Sequence, residues 1–168
     1  MWFVIQSLKG QEHKDLDEIL RDVKIYGNEE VFSLENEKPF RIKSEWILES
    51  RPFFPGYLFV DTEDGEDFSR RLRKKHRTRR MLEMDGVITP LRPNEEEYLR
   101  TLGGEEHIVR YSEGYRIGDR VEIVSGAFAG YTGRINKLDR HNRRAKLFLS
   151  LMGHEVEVEI GLGIVKSL

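Results

Sequence analysis

Phe53-Phe54-Pro55-Gly56-Tyr57-Leu58-Phe59-Val60 sets large apolar side chains on both sides of a Pro-Gly step. Such a run reads as a strand, with Arg51-Pro52 breaking it from the strand before. Because neighbouring residues of a strand point to opposite faces, one face cannot bury all of these aromatics. Phe53 and Phe59 are expected in the core, and some of the remaining aromatic surface is expected outside it.

Upstream, Val31 to Leu34 and Phe40 to Leu48 read as two further strands. Leu16, Ile19, Leu20 and Val23 recur at helical spacing among charged neighbours, which predicts an amphipathic helix ended by Gly27-Asn28. The opening Trp2-Phe3-Val4-Ile5-Gln6-Ser7-Leu8 reads as a buried strand stopped by Gly10. Downstream, Phe68 and Leu72 share one helical face while Arg70, Arg73, Lys74, Arg77 and Arg80 fall on the opposite one. Arg79 would enter the apolar stripe, so the helix should end near His76 to Thr78. Met81 to Ile88 reads as a short strand turning at Asp85-Gly86, and Pro93-Asn94-Glu95 starts a helix that ends at Gly103-Gly104. This order predicts an α+β sandwich, a mostly antiparallel sheet with helices packed on it, over residues 1–103. Residues 104–112 lack a period and read as a linker. Across 113–168 the pattern alternates, as in Val121-Glu122-Ile123, Ala145 to Leu149 and Val156 to Ile160, which predicts a small five-stranded β-barrel.

Charge is sorted along the chain. The formal net charge is -2, yet residues 1–112 carry 19 basic and 23 acidic side chains while 113–168 carry 9 and 7. Eight basic residues and no acid lie between Phe68 and Leu82. Such a patch suits a polyanion. There are no cysteines, which excludes disulfides, thiolate nucleophiles and Cys-ligated metals. The nucleophile elbow, phosphate loop and zinc-protease signatures are missing, and His13, His76, His107, His141 and His154 are scattered, so neither an enzyme nor a cofactor is expected. No run approaches the length that spans a bilayer, and a cytoplasmic protein without membrane contact is expected.

Three stretches carry a family resemblance: Trp2 to Gln6, Phe53 to Val60, and Gly118-Asp119-Arg120-Val121 with Ser125-Gly126-Ala127-Phe128-Ala129-Gly130-Tyr131-Thr132-Gly133. Their order and spacing resemble the NusG family of transcription elongation factors, and the last resembles its KOW motif. The resemblance implies an N-terminal NGN domain that docks on the clamp helices of RNA polymerase, followed by a KOW β-barrel that recruits other partners. It implies polymerase contacts at Phe54, Pro55 and Tyr57, with Phe53 beside them. It also implies a KOW partner surface at Tyr131, Leu151, Met152 and His154. There the family's aromatic is kept as Tyr131 and its arginine is not, so ribosomal protein S10 is an expected partner and Rho is disfavoured.

The basic stretch from Lys137 to Lys146 makes the chain most similar to LoaP, a specialised paralog group of processive antiterminators that recognise a leader RNA hairpin. Arg140, Arg143, Arg144, Lys146 and Lys137 are the expected RNA-reading element, assisted by Arg73, Lys74 and Arg77. Arginine outnumbers lysine there, which suits bidentate contacts to phosphate or guanine. Val156, Val158 and Ile160 alternate with glutamates, so this barrel is expected to stay β rather than refold into helices. Two other readings compete: a general elongation factor without specific RNA affinity, and a ribosome-associated KOW protein.

Overall fold

A computed structural model describes residues 1–167. The chain runs through β1 (Trp2–Gln6), α1 (Glu12–Asp22), β2 (Glu30–Phe32), β3 (Glu35–Ile42), β4 (Glu45–Pro52), β5 (Tyr57–Asp61) and α2 (Gly65–Lys75). It continues through β6 (Glu83–Met84), β7 (Val87–Ile88), α3 (Pro93–Gly103), β8 (Ile108–Val109), β9 (Ser112–Ile117), β10 (Arg120–Ser125), β11 (Ile135–Asp139), β12 (Arg144–Leu151) and β13 (His154–Ser167). Helices and sheets are mixed, and the fold is α+β. Among the described residues no helix is long and apolar enough to cross a membrane.

The chain forms two compact units. Residues 1–34 with 54–97 make the first. Its sheet has the order β1-β5-β2, antiparallel throughout, with Phe3 opposite Val60 and Val31 opposite the same residue on the other side. Period two sends Phe3, Ile5, Leu58, Val60 and Val31 into one core with Ile19 and Val23 of the α1 segment and Phe68 and Leu72 of α2. The opposite side of the strands is aromatic: Trp2 lies edge-on to Phe32 at 4.8 Å and Phe32 stacks on Phe59 at 5.7 Å. Asp64 caps α2 by accepting from the Asp67 amide at 3.0 Å, and His76 ends it, as its helical pattern predicts.

The second unit takes residues 35–53 together with 98 onward. Its five-stranded sheet has the order β10-β9-β13-β12-β11. β13 serves two neighbours in succession, antiparallel to β12 up to Gly161 and parallel to β9 from Leu162. Val158 and Ile160 are buried and Glu155 and Glu157 exposed, so the alternation read from sequence is the alternation of the strand. The five expected strands are present; the expected domain runs to Leu168, which lies outside the described residues.

Several sequence expectations are corrected. Phe40 to Leu48 is a hairpin rather than one strand, because Lys43 and Ser44 adopt φ of 50° and 68° and reverse the chain without a glycine or asparagine to announce it. Phe53 to Gly56 is a turn and only Tyr57 onward is strand, so strand alternation does not govern Phe53 and Phe54. The interval 104–112 is not an irregular linker: β8 pairs in parallel with β3, Val109 is buried, and Ser112 accepts the Phe128 amide at 3.0 Å. The compact units group the β3–β4 hairpin with the C-terminal strands, a division by packing that is distinct from the expected intervals 1–103 and 113–168 and does not correct them.

Candidate functional site

In the first unit the Pro-Gly turn is held from three sides. Gly56, at φ 89°, donates its amide to Glu12 Oε2 at 2.9 Å and accepts from the Ser7 amide at 2.8 Å, while Tyr57 donates to the Phe54 carbonyl at 3.1 Å. Glu12 is buried in the first turn of α1, so the carboxylate serves the turn rather than solvent. This closure folds Phe54 inward onto Phe59, ring centroids 6.0 Å apart, leaving it 2% exposed. Phe53 is buried against Phe128 in the second unit. The expectation of a solvent-facing Phe54 is therefore corrected: neither Phe53 nor Phe54 is a surface anchor. Pro55 is exposed and Tyr57 half-buried. Leu8, beside the Ser7–Gly56 hydrogen bond, is 66% exposed. Sequence reasoning missed Leu8 because it read the residue as part of the opening buried strand, which ends at Gln6.

The basic segment of α2 divides by role. Arg73 and Lys74 are exposed, as their helical face predicts, and Arg77, past the end of α2, is exposed as well. Arg71 turns inward, paired with Glu29 at 2.7 Å and Asp67 at 2.9 Å, its guanidinium 4.2 Å from the Tyr26 ring centroid. Burial pushes the Glu29 carboxyl upward, but hydrogen bonds from Arg71, Thr62 and the Tyr26 amide outweigh it and hold the group below its ordinary range.

The second unit carries the other cationic cluster, at the β11–β12 turn. Asp139 accepts both the amide and the side-chain nitrogen of Asn142, at 3.0 and 2.8 Å, and these bonds lower its pKa. The one acid of the turn is thus committed to shaping it. Lys137, Arg140 and Arg143 are exposed. Arg144 is not a free RNA-reading side chain: it bonds Glu159 Oε1 at 3.0 Å and the Pro39 carbonyl at 2.8 Å, and lies over the Phe40 ring at 4.5 Å. Strand geometry explains the difference, since Arg144 begins β12 beside the β3 edge whereas Arg143 sits in the turn at φ 56°. Lys146, opposite Glu159 in the register, lies 3.8 Å from Glu157. The expected RNA element is reduced to Lys137, Arg140 and Arg143 as its solvent-facing cations. Arg73, Lys74 and Arg77 belong to the first unit.

At the expected partner surface, Tyr131 packs edge-on against Phe128 at 5.7 Å, and burial raises its pKa. It lines an open groove of about 790 Å³ with Ile117, Arg120, Val121, Arg134 and Leu138. His154 is exposed, but Leu151 and Met152 are buried, which corrects their place in a partner surface. They close the β12–β13 turn, where Met152 takes φ 52° and Gly153 φ 79°. Among the described residues no group of three His, Asp or Glu side chains is placed to hold a metal ion.

Residues 1–100 match the family described as "Transcription termination factor nusG", and residues 117–150 match the KOW motif. The "Transcription termination/antitermination protein NusG" of Thermus thermophilus is 25% identical over 180 residues, covering 99% of this chain and 98% of that protein. Those of Vibrio cholerae and Bacillus subtilis are 26% and 24% identical, covering 99% and 95% of this chain and 95% and 93% of theirs. A solved structure described as "Domain interaction in Thermotoga maritima NusG" aligns with a TM-score of 0.53 at 20% identity, covering 95% of this chain and 92% of that one.

Proposed function

The chain belongs to the NusG family of transcription termination and antitermination factors, and from that membership we propose a bridging role in which the first unit binds RNA polymerase and the second holds a hairpin of the nascent leader RNA. Members of this family are transcription factors rather than enzymes. In this reading Leu8, Pro55 and Tyr57 provide the apolar surface for the polymerase clamp helices, on a turn that Glu12 closes by accepting the Gly56 amide. Contact there disfavours the paused state. Tethering to the transcript raises the local concentration of the factor near its own polymerase and confines its action to chosen operons, as in the LoaP-like paralogs. The Tyr131 groove is the surface offered to a protein partner of the S10 type. The protein acts in the cytoplasm.

The observation that carries this proposal is the β11–β12 turn, where Lys137, Arg140 and Arg143 face solvent and, among the described residues, form no ion pair, against the single carboxylate of Asp139, which is hydrogen-bonded by Asn142. Three such cations on a hydrogen-bonded turn suit phosphates and exposed base edges of a structured RNA. The test is a three-component capture. An immobilised leader hairpin should retain core RNA polymerase only when the full chain is present, and absence of retention would overturn the bridge. The relatives named above carry the broader termination/antitermination description, which favours as a second reading a general factor without RNA selectivity. That reading predicts polymerase binding with equal capture on a scrambled RNA.

A further inference from the structure

We propose that the face of the β3–β4 hairpin around Trp46 is a stacking subsite for an unpaired base of the bound RNA. The proposal rests on the RNA reading above and names the part of the ligand that this second-unit surface would take. Trp46 lies directly across the hairpin from Arg41, half-exposed, with the Arg41 guanidinium 6.0 Å from its ring centroid. The Arg143 guanidinium approaches the same ring to 4.3 Å from the β11–β12 turn. The indole and the guanidinium groups beside it together offer flat surfaces on which unstacked bases lie, with charge for the adjoining phosphates.

The surrounding residues hold Arg143 in place. Its carbonyl accepts the Leu162 amide at 2.9 Å and its own amide donates to the Arg140 carbonyl at 3.3 Å, with Tyr111 close enough for the two side chains to interact electrostatically. Tyr111 in turn lies along β13 only because two positions there lack a side chain. A Cβ on Gly161 would stand 2.8 Å from Tyr111 Cδ1, and one on Gly163 would stand 2.0 Å from its hydroxyl oxygen.

Ion pairing separates this face from ordinary surface charge. Lys38 and Arg144 are both paired with Glu159, and Lys146 lies near Glu157. Among the described residues Arg41, Lys43, Arg140 and Arg143 form no ion pair. Of the acids around this face, Glu37 accepts from Arg110 and from the Tyr111 amide, Glu113 lies beside Tyr111, and Glu45 stands opposite Ile42 at the hairpin tip, on the other strand face from Trp46. Cations left without carboxylates beside an accessible indole favour a polyanion with aromatic groups over a peptide.

Tryptophan emission of the full chain reads this site directly, because the sequence has two tryptophans and Trp2 is buried at 1% exposure. Short oligoadenylate RNA should quench the exposed tryptophan, and a perfectly paired duplex of equal length should quench it far less. Trp46→Leu should weaken oligoadenylate binding about ten-fold, the loss of roughly one base stack, whereas Trp46→Phe should keep affinity within about three-fold. Unchanged Trp2 emission and circular dichroism establish that the variants are folded. Absence of quenching, equal binding by Trp46→Leu and the parent chain, or equal quenching by polyglutamate would each overturn the proposal. If Trp46 is required for oligoadenylate but leader and scrambled hairpins bind alike, the subsite stands and RNA selectivity fails. If the leader hairpin is preferred and Trp46→Leu binds it as the parent does, selectivity stands and the subsite fails.

Discussion

Asp15, 1% exposed in the first turn of α1, accepts from the Ser7 hydroxyl and is ion-paired with Arg79. Arg79 is one of the basic segment's cations, yet it acts on the core of the first unit. Removing it leaves a buried carboxylate without its cation, so Arg79→Met should destabilise the fold by about 3 kcal/mol, measured by urea denaturation. Adding Asp15→Asn should recover a large part of that loss. By contrast Leu8 is 66% exposed and Tyr57 half-exposed, so Leu8→Asp with Tyr57→Ala should lower polymerase capture about ten-fold, with little change in melting temperature. Equal capture by this variant and the parent would remove these residues from the contact. Helical periodicity was enough to place Arg73 and Lys74 outside and to end α2 before Arg79. It could not show that Arg71 finds Glu29 or that Arg79 finds Asp15, because those partners are distant in sequence. Phe54 illustrates the opposite limit: alternation implied that some aromatic surface stays outside and the family resemblance assigned Phe54 to it, but the turn folds this residue inward.

At the scale of elements, the β3–β4 hairpin is fastened to the β12–β13 pair through Glu159. Asn36 donates to its carbonyl at 2.6 Å, and Lys38 and Arg144 reach its carboxylate at 3.2 and 3.0 Å. Burial raises the Glu159 pKa, but the bonds and charges of Arg144 and Lys38 lower it further, so the net shift is downward. A carboxyl with a depressed folded pKa contributes stability above its unfolded value, and that contribution is lost as pH falls through the folded value. Glu159→Gln should therefore cost about 1–2 kcal/mol at neutral pH, and the difference from the parent should vanish in acid below the ordinary glutamate range. A difference independent of pH would contradict this assignment. Gly161 tests the same junction sterically: an added Cβ would lie 2.7 Å from the Glu37 carbonyl oxygen, a backbone atom with little freedom. Gly161→Ala should destabilise the second unit by about 1–3 kcal/mol in thermal unfolding. The three helices and the alternating β12 and β13 were legible because each carries a sustained period and clear ends. The hairpin was not, since Lys43 and Ser44 turn the chain with residues that seldom signal a reversal. Neither was β8, whose two residues are too few to show any period and are fixed by pairing with β3.

For the whole molecule, family membership and the two-unit plan give the broad activity, and the distribution of unpaired cations gives the proposed specificity. The motif order identified a NusG-type chain from sequence. Which basic residues remain free depended on tertiary pairing, above all on the strands that meet Arg144. The exposed cations that survive that pairing lie in both units, on α2 and at the β11–β12 turn. Because β13 alternates buried Val158 and Ile160 with glutamates on its other face, RNA binding should produce no gain of helix in the circular dichroism of the full chain. The central claim is selective recognition of a leader hairpin, and it is tested most directly by the affinity of the purified full chain for leader-derived and scrambled hairpins across a salt titration. The account predicts tight binding that still discriminates the leader hairpin at physiological salt. Weak binding to both, falling steeply and equally with salt, would contradict it and reduce the basic patches to sequence-independent phosphate contacts.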